Sequence, residues 1–140
     1  MARIDPAESE LLAPVLRLFP KREYKRFAEA ELGRKRIDLL CVPRRSEDES
    51  VSVELKVRDW KKALWQASHN FHVAEQSYVA IWHRYLPAVE RNRTLFETYG
   101  VGIIVVRGRS AVIHAKSCDL VHRIARDHKA AFYKGLIGDV

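Results

Sequence analysis

The chain is poor in the residues that build most metal and redox centres. It has two cysteines, Cys41 and Cys118, and neither belongs to a CxxC pair. That spacing argues against a zinc or iron–sulfur site and supplies no disulfide framework, so a reducing cytoplasm is the expected compartment. No apolar run approaches the ~20 residues that span a bilayer. The opening MARIDPAESE is charged where a signal peptide would be apolar. The six glycines fit neither GxGxxG nor a P-loop, so no loop is built to cradle nucleotide phosphates. No motif sets a Ser or Cys nucleophile beside a base. Repeats, low-complexity tracts and linkers are also missing, which leaves one domain over residues 1–140.

Acid is in deficit as well: Lys and Arg number 25 against 18 Asp and Glu, a formal net charge of +7. A basic surplus on a small domain favours a polyanionic partner, most often nucleic acid. Hydrophobic residues make up 47% of the chain, enough for a packed core and too many for disorder.

Patterning predicts a mixed α/β domain in the order α-β-β-β-α-β-α-β-β-α. Asp5 and Pro6 open a helix as N-cap and first helical residue, and Pro14 kinks or restarts it before Pro20 ends it. Strands follow over residues 24–32, 37–42 and 51–57, with Gly33 turning the first pair and the charged 44–50 segment looping between the second and third. Asp59 caps a long helix to about residue 76, with Trp60, Ala63, Leu64, Ala67, Phe71 and Ala74 on its apolar face. Residues 77–82 and 101–106 read as doubly buried strands flanking a helix over 87–99 that Gly100 stops. A turn at 107–110 leads to a strand over 111–115. The last helix starts near Ser117, carries Leu120, Val121, Ile124, Ala125 and Phe132 on one face, and ends at Gly135.

The chemistry concentrates on the second and third strands. In SVSVELKV, alternation sends Val51, Val53, Leu55 and Val57 into a core and Ser52, Glu54, Lys56 and Arg58 the other way. Asp38, in RIDLLCV, needs only the right register to stand beside Glu54. Two carboxylates and an ammonium in one patch can hold a divalent cation and activate water against a phosphodiester. Magnesium takes oxygen ligands and keeps several waters, so Asp38, Glu54 and the backbone carbonyl of Leu55 make a plausible ligand set. Lys56 would orient or deprotonate the water.

The run RIDLLCV…SVSVELKV followed by RDWKKALWQA resembles the PD-(D/E)XK nuclease superfamily, the restriction-endonuclease-like fold. The resemblance covers most of the chain, with Ile37 where the name-giving Pro would stand. It implies an αβββαβ core with a mixed central sheet flanked by helices. It also implies Mg²⁺ (Mn²⁺ as substitute) bound by Asp38 and Glu54, and a water assisted by Lys56. Gln66 matches a Gln that many members place near the DNA backbone. A Glu that many add from the first helix corresponds to Glu8, with Glu10 as alternative and Glu29 as a further carboxylate within reach.

The expected function is therefore hydrolysis of DNA phosphodiester bonds by a metal-dependent endonuclease of repair, recombination or restriction. The rival is a catalytically silent module of the same fold that binds DNA or a protein. A resolvase-like enzyme cutting two strands symmetrically would work as a homodimer. Expected phosphate contacts are Arg34, Lys35 and Arg36 before Asp38, Arg44 and Arg45 after its strand, and Arg58, Lys61 and Lys62 after the third strand. Trp60 belongs to the apolar stripe, whereas Trp65 lies on another face. His69 and His72, three apart on one helix, are expected in surface or packing roles, and His83, His114, His122 and His128 are scattered.

Overall fold

Six strands form a single sheet in sequence order, β1 to β6. The computed structural model of the protein describes residues 5–45 and 47–118. β1 (Tyr24–Leu32), β2 (Lys35–Pro43) and β3 (Val51–Lys56) are antiparallel. β3, β4 (Gln76–Trp82) and β5 (Gly102–Arg107) run parallel, and β6 (Ser110–Ala115) returns antiparallel on the far edge. The β1–β2 hairpin closes on Gly33, which takes the left-handed φ of 59° that a tight turn demands. Parallel neighbours need a crossover. α2 (Trp60–His69) supplies it between β3 and β4, and α3 (Leu86–Glu90) with α4 (Arg93–Tyr99) supplies it between β4 and β5.

Both faces of the sheet are covered. On one, Leu11, Val15 and Phe19 from α1 (Leu12–Leu16) and its flanks pack against Leu39, Val53, Tyr78 and Ile104. On the other, Trp60, Leu64, Phe71 and Phe96 pack against Val79, Ile81, Ile103 and Val105. A third cluster of Phe27, Ile37, Leu40, Val73 and Ala74 fills the space at the hairpin. Each such fully buried large side chain contributes about 1.5–3 kcal/mol. Gly102 makes room for the Tyr78 ring and for the chain at Ser117: a Cβ there would stand 2.4 Å from the Tyr78 ring and 2.5 Å from the Ser117 nitrogen.

Every expected strand is present, and Asp59 does cap α2, accepting from the Lys62 amide at 3.4 Å. The helices depart from expectation. The first begins as a 3-10 turn, Glu8–Leu11, and becomes α-helical only at Leu12. Pro14 thus falls in the first α-turn, where its missing N–H costs little. Asp5 is not its cap: its carboxylate accepts from the Tyr85 hydroxyl at 2.5 Å and pairs with Arg84. α2 ends at His69 and tightens into a 3-10 turn, Asn70–His72, rather than running on to residue 76. The 87–99 helix is two short ones, broken near Asn92, whose amide donates to the Ala88 carbonyl at 2.8 Å. Gly100 stops α4 in the left-handed region, φ 72°. The expected C-terminal helix, starting near Ser117 and ending at Gly135, with His122 and His128, lies outside the described residues from position 119 on.

The alternation of β3 holds, but its polar side is not solvated. Ser52 and Glu54 are buried beneath α2. Ser52 donates to the Ser77 hydroxyl at 2.9 Å, which donates to the Ala67 carbonyl at 2.6 Å. The Ser77 amide donates to Ser117 Oγ at 3.0 Å, and Ser117 donates to the Gly100 carbonyl at 2.8 Å. These buried hydroxyls are hydrogen-bonded, as buried polar groups must be.

Candidate functional site

The site is set by register. The β2–β3 ladder pairs Cys41 with Val51, Leu40 with Ser52 and Leu39 with Val53. One step further the pairing ends, and the two facing residues there are Asp38 and Glu54. Their side chains take over the bonding. Asp38 Oδ2 accepts from the Leu55 amide at 2.8 Å, and Glu54 Oε2 accepts from the Asp38 amide at 3.3 Å. Glu54 Oε2 also accepts from Asn70 Nδ2 at 3.0 Å, reaching up from the turn that ends α2. Each acid is fixed by the strand that carries the other. Beside them, Glu29 on β1 adopts a left-handed φ of 53°, a strained conformation for a non-glycine residue of the kind that clusters at functional sites.

Burial dominates the electrostatics. Glu54 is 1% exposed, and desolvation together with the neighbouring Asp38 carboxylate pushes its pKa up to about 7, against the pull of the Asn70 and Asp38 hydrogen bonds and of Lys35. Burial also raises the Asp38 carboxyl; the Leu55 amide opposes this, Glu8 adds to it, and Lys56 and Arg36 oppose it. Burial lowers the Lys35 ammonium, with Glu54 opposing. Lys56 Nζ stands 3.3 Å from Glu8 Oε1. Burial, more than neighbouring charge, thus makes it costly to ionise both carboxylates, a cost that a bound cation would offset.

Above this floor opens a cleft of about 810 Å³. Glu8, Asp38 and Lys56 line its base, with Arg34, Lys35 and Arg36 from the hairpin turn on one wall and Lys62 and Gln66 from α2 on the other. Lys35 Nζ bridges the walls, donating to the Gln66 carbonyl at 3.4 Å. The sequence-predicted Asp38, Lys56, Gln66, Glu8, Arg34, Lys35, Arg36 and Lys62 therefore converge, with Glu54 just beneath. Leu55 joins through its amide, held by Asp38.

Others do not converge. Arg58 acts on Asp5 and Tyr85, away from the cleft, because β3 ends two residues before it. Lys61 turns its ammonium over the Trp60 ring, 5.7 Å from the centroid, on the next face of α2. Arg44 and Arg45 line a separate cavity with Glu47, Asp48 and Glu49, since β2 carries them to its opposite end from Asp38. Of the three additional acids, Glu8 lines the cleft. Glu29 shares a smaller cavity of about 240 Å³ with Glu8 and Asp38 and stands 4.0 Å from Arg36.

The donor set suits a hard divalent cation. Asp38 and Glu54 present carboxylate oxygens from adjacent strands, the ligand type magnesium requires. The buried Oδ1 of Asn70 and Oε1 of Gln66 have no hydrogen-bond partner among the described residues, so two acceptors beside the acids await water or the hydration shell of an ion. Among the described residues, no three His, Cys, Asp or Glu side chains gather as a ligand cluster. A cation here would complete its shell with backbone carbonyl and water.

Sequence reasoning missed Asn70; His69 and His72, expected in surface or packing roles, line the cleft, where His69 packs on Trp65. A signal was present: Lys62, Gln66 and Asn70 recur every four residues, a polar stripe beside the apolar stripe of one helix. Trp65 also lines the cleft and is 64% exposed.

The cleft thus lies over a buried glutamate and a half-buried aspartate, each braced by the strand that carries the other, with lysines and arginines on its walls. No family model matches the sequence, and no curated protein does. Among solved structures, a protein of unknown function from Silicibacter pomeroyi shares the fold, with a TM-score of 0.67 at 13% identity over 94% of this chain and 84% of that one. In its described residues this chain is a mixed α/β protein with a six-stranded sheet flanked by helices. No helix among the described residues is long and apolar enough to cross a membrane.

Proposed function

We propose that the protein is a metal-dependent nuclease of the restriction-endonuclease-like class that hydrolyses DNA phosphodiester bonds. One observation carries the reading: Asp38 and Glu54 face each other where the β2–β3 ladder ends, with Lys56 two residues beyond Glu54 in the same cleft. The order of a helical segment, three antiparallel strands, a crossover helix and a parallel strand supports the same class.

When bound, Mg²⁺ would neutralise developing charge on the phosphate and acidify a water. Asp38 and Glu54 would hold it. The chain's own residues do the rest. Lys56, held at Glu8, stands in the cleft beside Asp38, placed to orient a water or steady the charge of the transition state. Asn70 and the Asp38 amide fix one Glu54 oxygen, which directs the other. Arg34, Lys35, Arg36 and Lys62 position the phosphate chain.

Incubation with linear, supercoiled, single-stranded and branched DNA, with and without Mg²⁺, tests the reading. Cleavage should require metal and vanish in Glu54→Ala while DNA binding persists. Cleavage unchanged by Glu54→Ala would refute the assignment. Metal-independent binding with no cleavage of any substrate would instead favour the silent binding module, a reading to which the commitment of Lys56 to Glu8 lends some weight.

A further inference from the structure

Trp65 is the largest apolar surface the protein leaves in water among its described residues, and it stands on the wall of the cleft. Its neighbours on α2 are spent on the core: Trp60, Ala63, Leu64 and Ala67 are all buried. Nothing in packing requires an indole at this position, where a polar residue would serve helix and solvent equally. Its setting is also ordered. The His69 ring lies 4.3 Å from the indole centroid, and His69 Nδ1 is bonded to the Trp65 carbonyl at 2.8 Å, which holds the imidazole against the indole. Around the same opening stand Arg34, Arg36 and Lys62.

An aromatic face within a cationic groove is the chemistry that captures single-stranded nucleic acid: cations follow the phosphates and the ring stacks on a base. In a closed duplex both faces of each base are covered by neighbours, so an indole gains nothing by stacking. We propose that Trp65 stacks on an unpaired base of a strand whose phosphates lie along Arg34, Arg36 and Lys62. This rests on the nuclease reading of the cleft and deepens it. The substrate class is then a single strand, a frayed end or a loop rather than an uninterrupted duplex.

The test is anisotropy of a labelled oligothymidylate and of a loop-free blunt duplex closed by G·C pairs at both ends, in EDTA so that no cleavage intervenes, with wild type, Trp65→Ala and Trp65→Phe. Stacking on one base corresponds to about 5- to 150-fold in affinity. Trp65→Ala should weaken single-strand binding roughly tenfold and duplex binding less than about twofold, and Trp65→Phe should recover most of the loss. Equal losses on both DNAs, or no loss on the single strand, would overturn the proposal. Cleavage assays with Mg²⁺ on the same DNAs separate the two claims. Trp65-dependent single-strand binding with no cutting sinks the nuclease and spares the platform; single-strand cutting indifferent to Trp65→Ala sinks the platform and spares the nuclease.

Discussion

Replacing Glu54 with Gln should make the protein more stable while destroying its proposed activity. In the folded chain burial holds the Glu54 carboxyl at about 7, against an ordinary 4.5. Between those values the native state keeps a proton that the unfolded chain releases, so wild-type stability falls as pH rises through this window and the whole penalty is present above 7. At about 1.4 kcal/mol per tenfold change in proton affinity, that penalty is about 3 kcal/mol at pH 8 and near zero at or below pH 4.5. Glutamine is the same size. Its carbonyl can still accept from Asn70 and from the Asp38 amide, and it carries no charge to be desolvated. Glu54→Gln should therefore melt up to about 10 °C above wild type at pH 8, with the gap closing as pH falls toward 4.5. Every titrating group outside the acid pair and Lys35 is shared in the same surroundings, so the difference reports the Glu54 site. Paired calorimetric melts across this range measure it. A variant that melts below wild type at pH 8, or a gap indifferent to pH, would refute the electrostatic account of the site.

Magnesium should relieve the same penalty: at ten times its dissociation constant it should stabilise wild type by about 1.4 kcal/mol at pH 8 and leave Glu54→Gln unmoved, read by the same melts. Lys56→Ala should cut cleavage by at least about 100-fold in a plasmid-nicking assay. Because the Lys56–Glu8 pair is partly exposed, stability should shift by less than about 1 kcal/mol. Arg34→Ala and Arg36→Ala should each reduce the slope of log affinity against log salt by about one, seen in DNA titrations over a salt series. Gly102→Ala forces a methyl into the Tyr78 ring and the Ser117 backbone, and should cost about 3 kcal/mol or more in denaturant unfolding.

The strands were legible in the sequence because period-two alternation and turn residues such as Gly33 and Pro43 act locally. The acid pair was half legible. Residue types and strand assignment pointed to Asp38 and Glu54, but their apposition depends on a register that only the assembled hairpin fixes. Helix lengths were misjudged where a side chain has a tertiary task. Asn70 leaves the helix to serve Glu54, and Asn92 bonds back to Ala88 at the break between α3 and α4. The basic residues divided the same way: Arg34, Lys35 and Arg36 reach the cleft from the hairpin turn next to Asp38, whereas Arg44 and Arg45 are nearly as close in sequence but a strand's length away in space.

The mutual clasp of Asp38 and Glu54 has a corollary for how such a protein can change. Because each of these acids doubles as a rivet between two ribbons, a replacement that cannot accept the same hydrogen bonds disturbs scaffold and chemistry together. The wall of the opening bears no such double duty: Trp65, Arg34 and Lys62 are all exposed. Selection or engineering that seeks a new preference among targets has its freedom there, while the floor stays fixed.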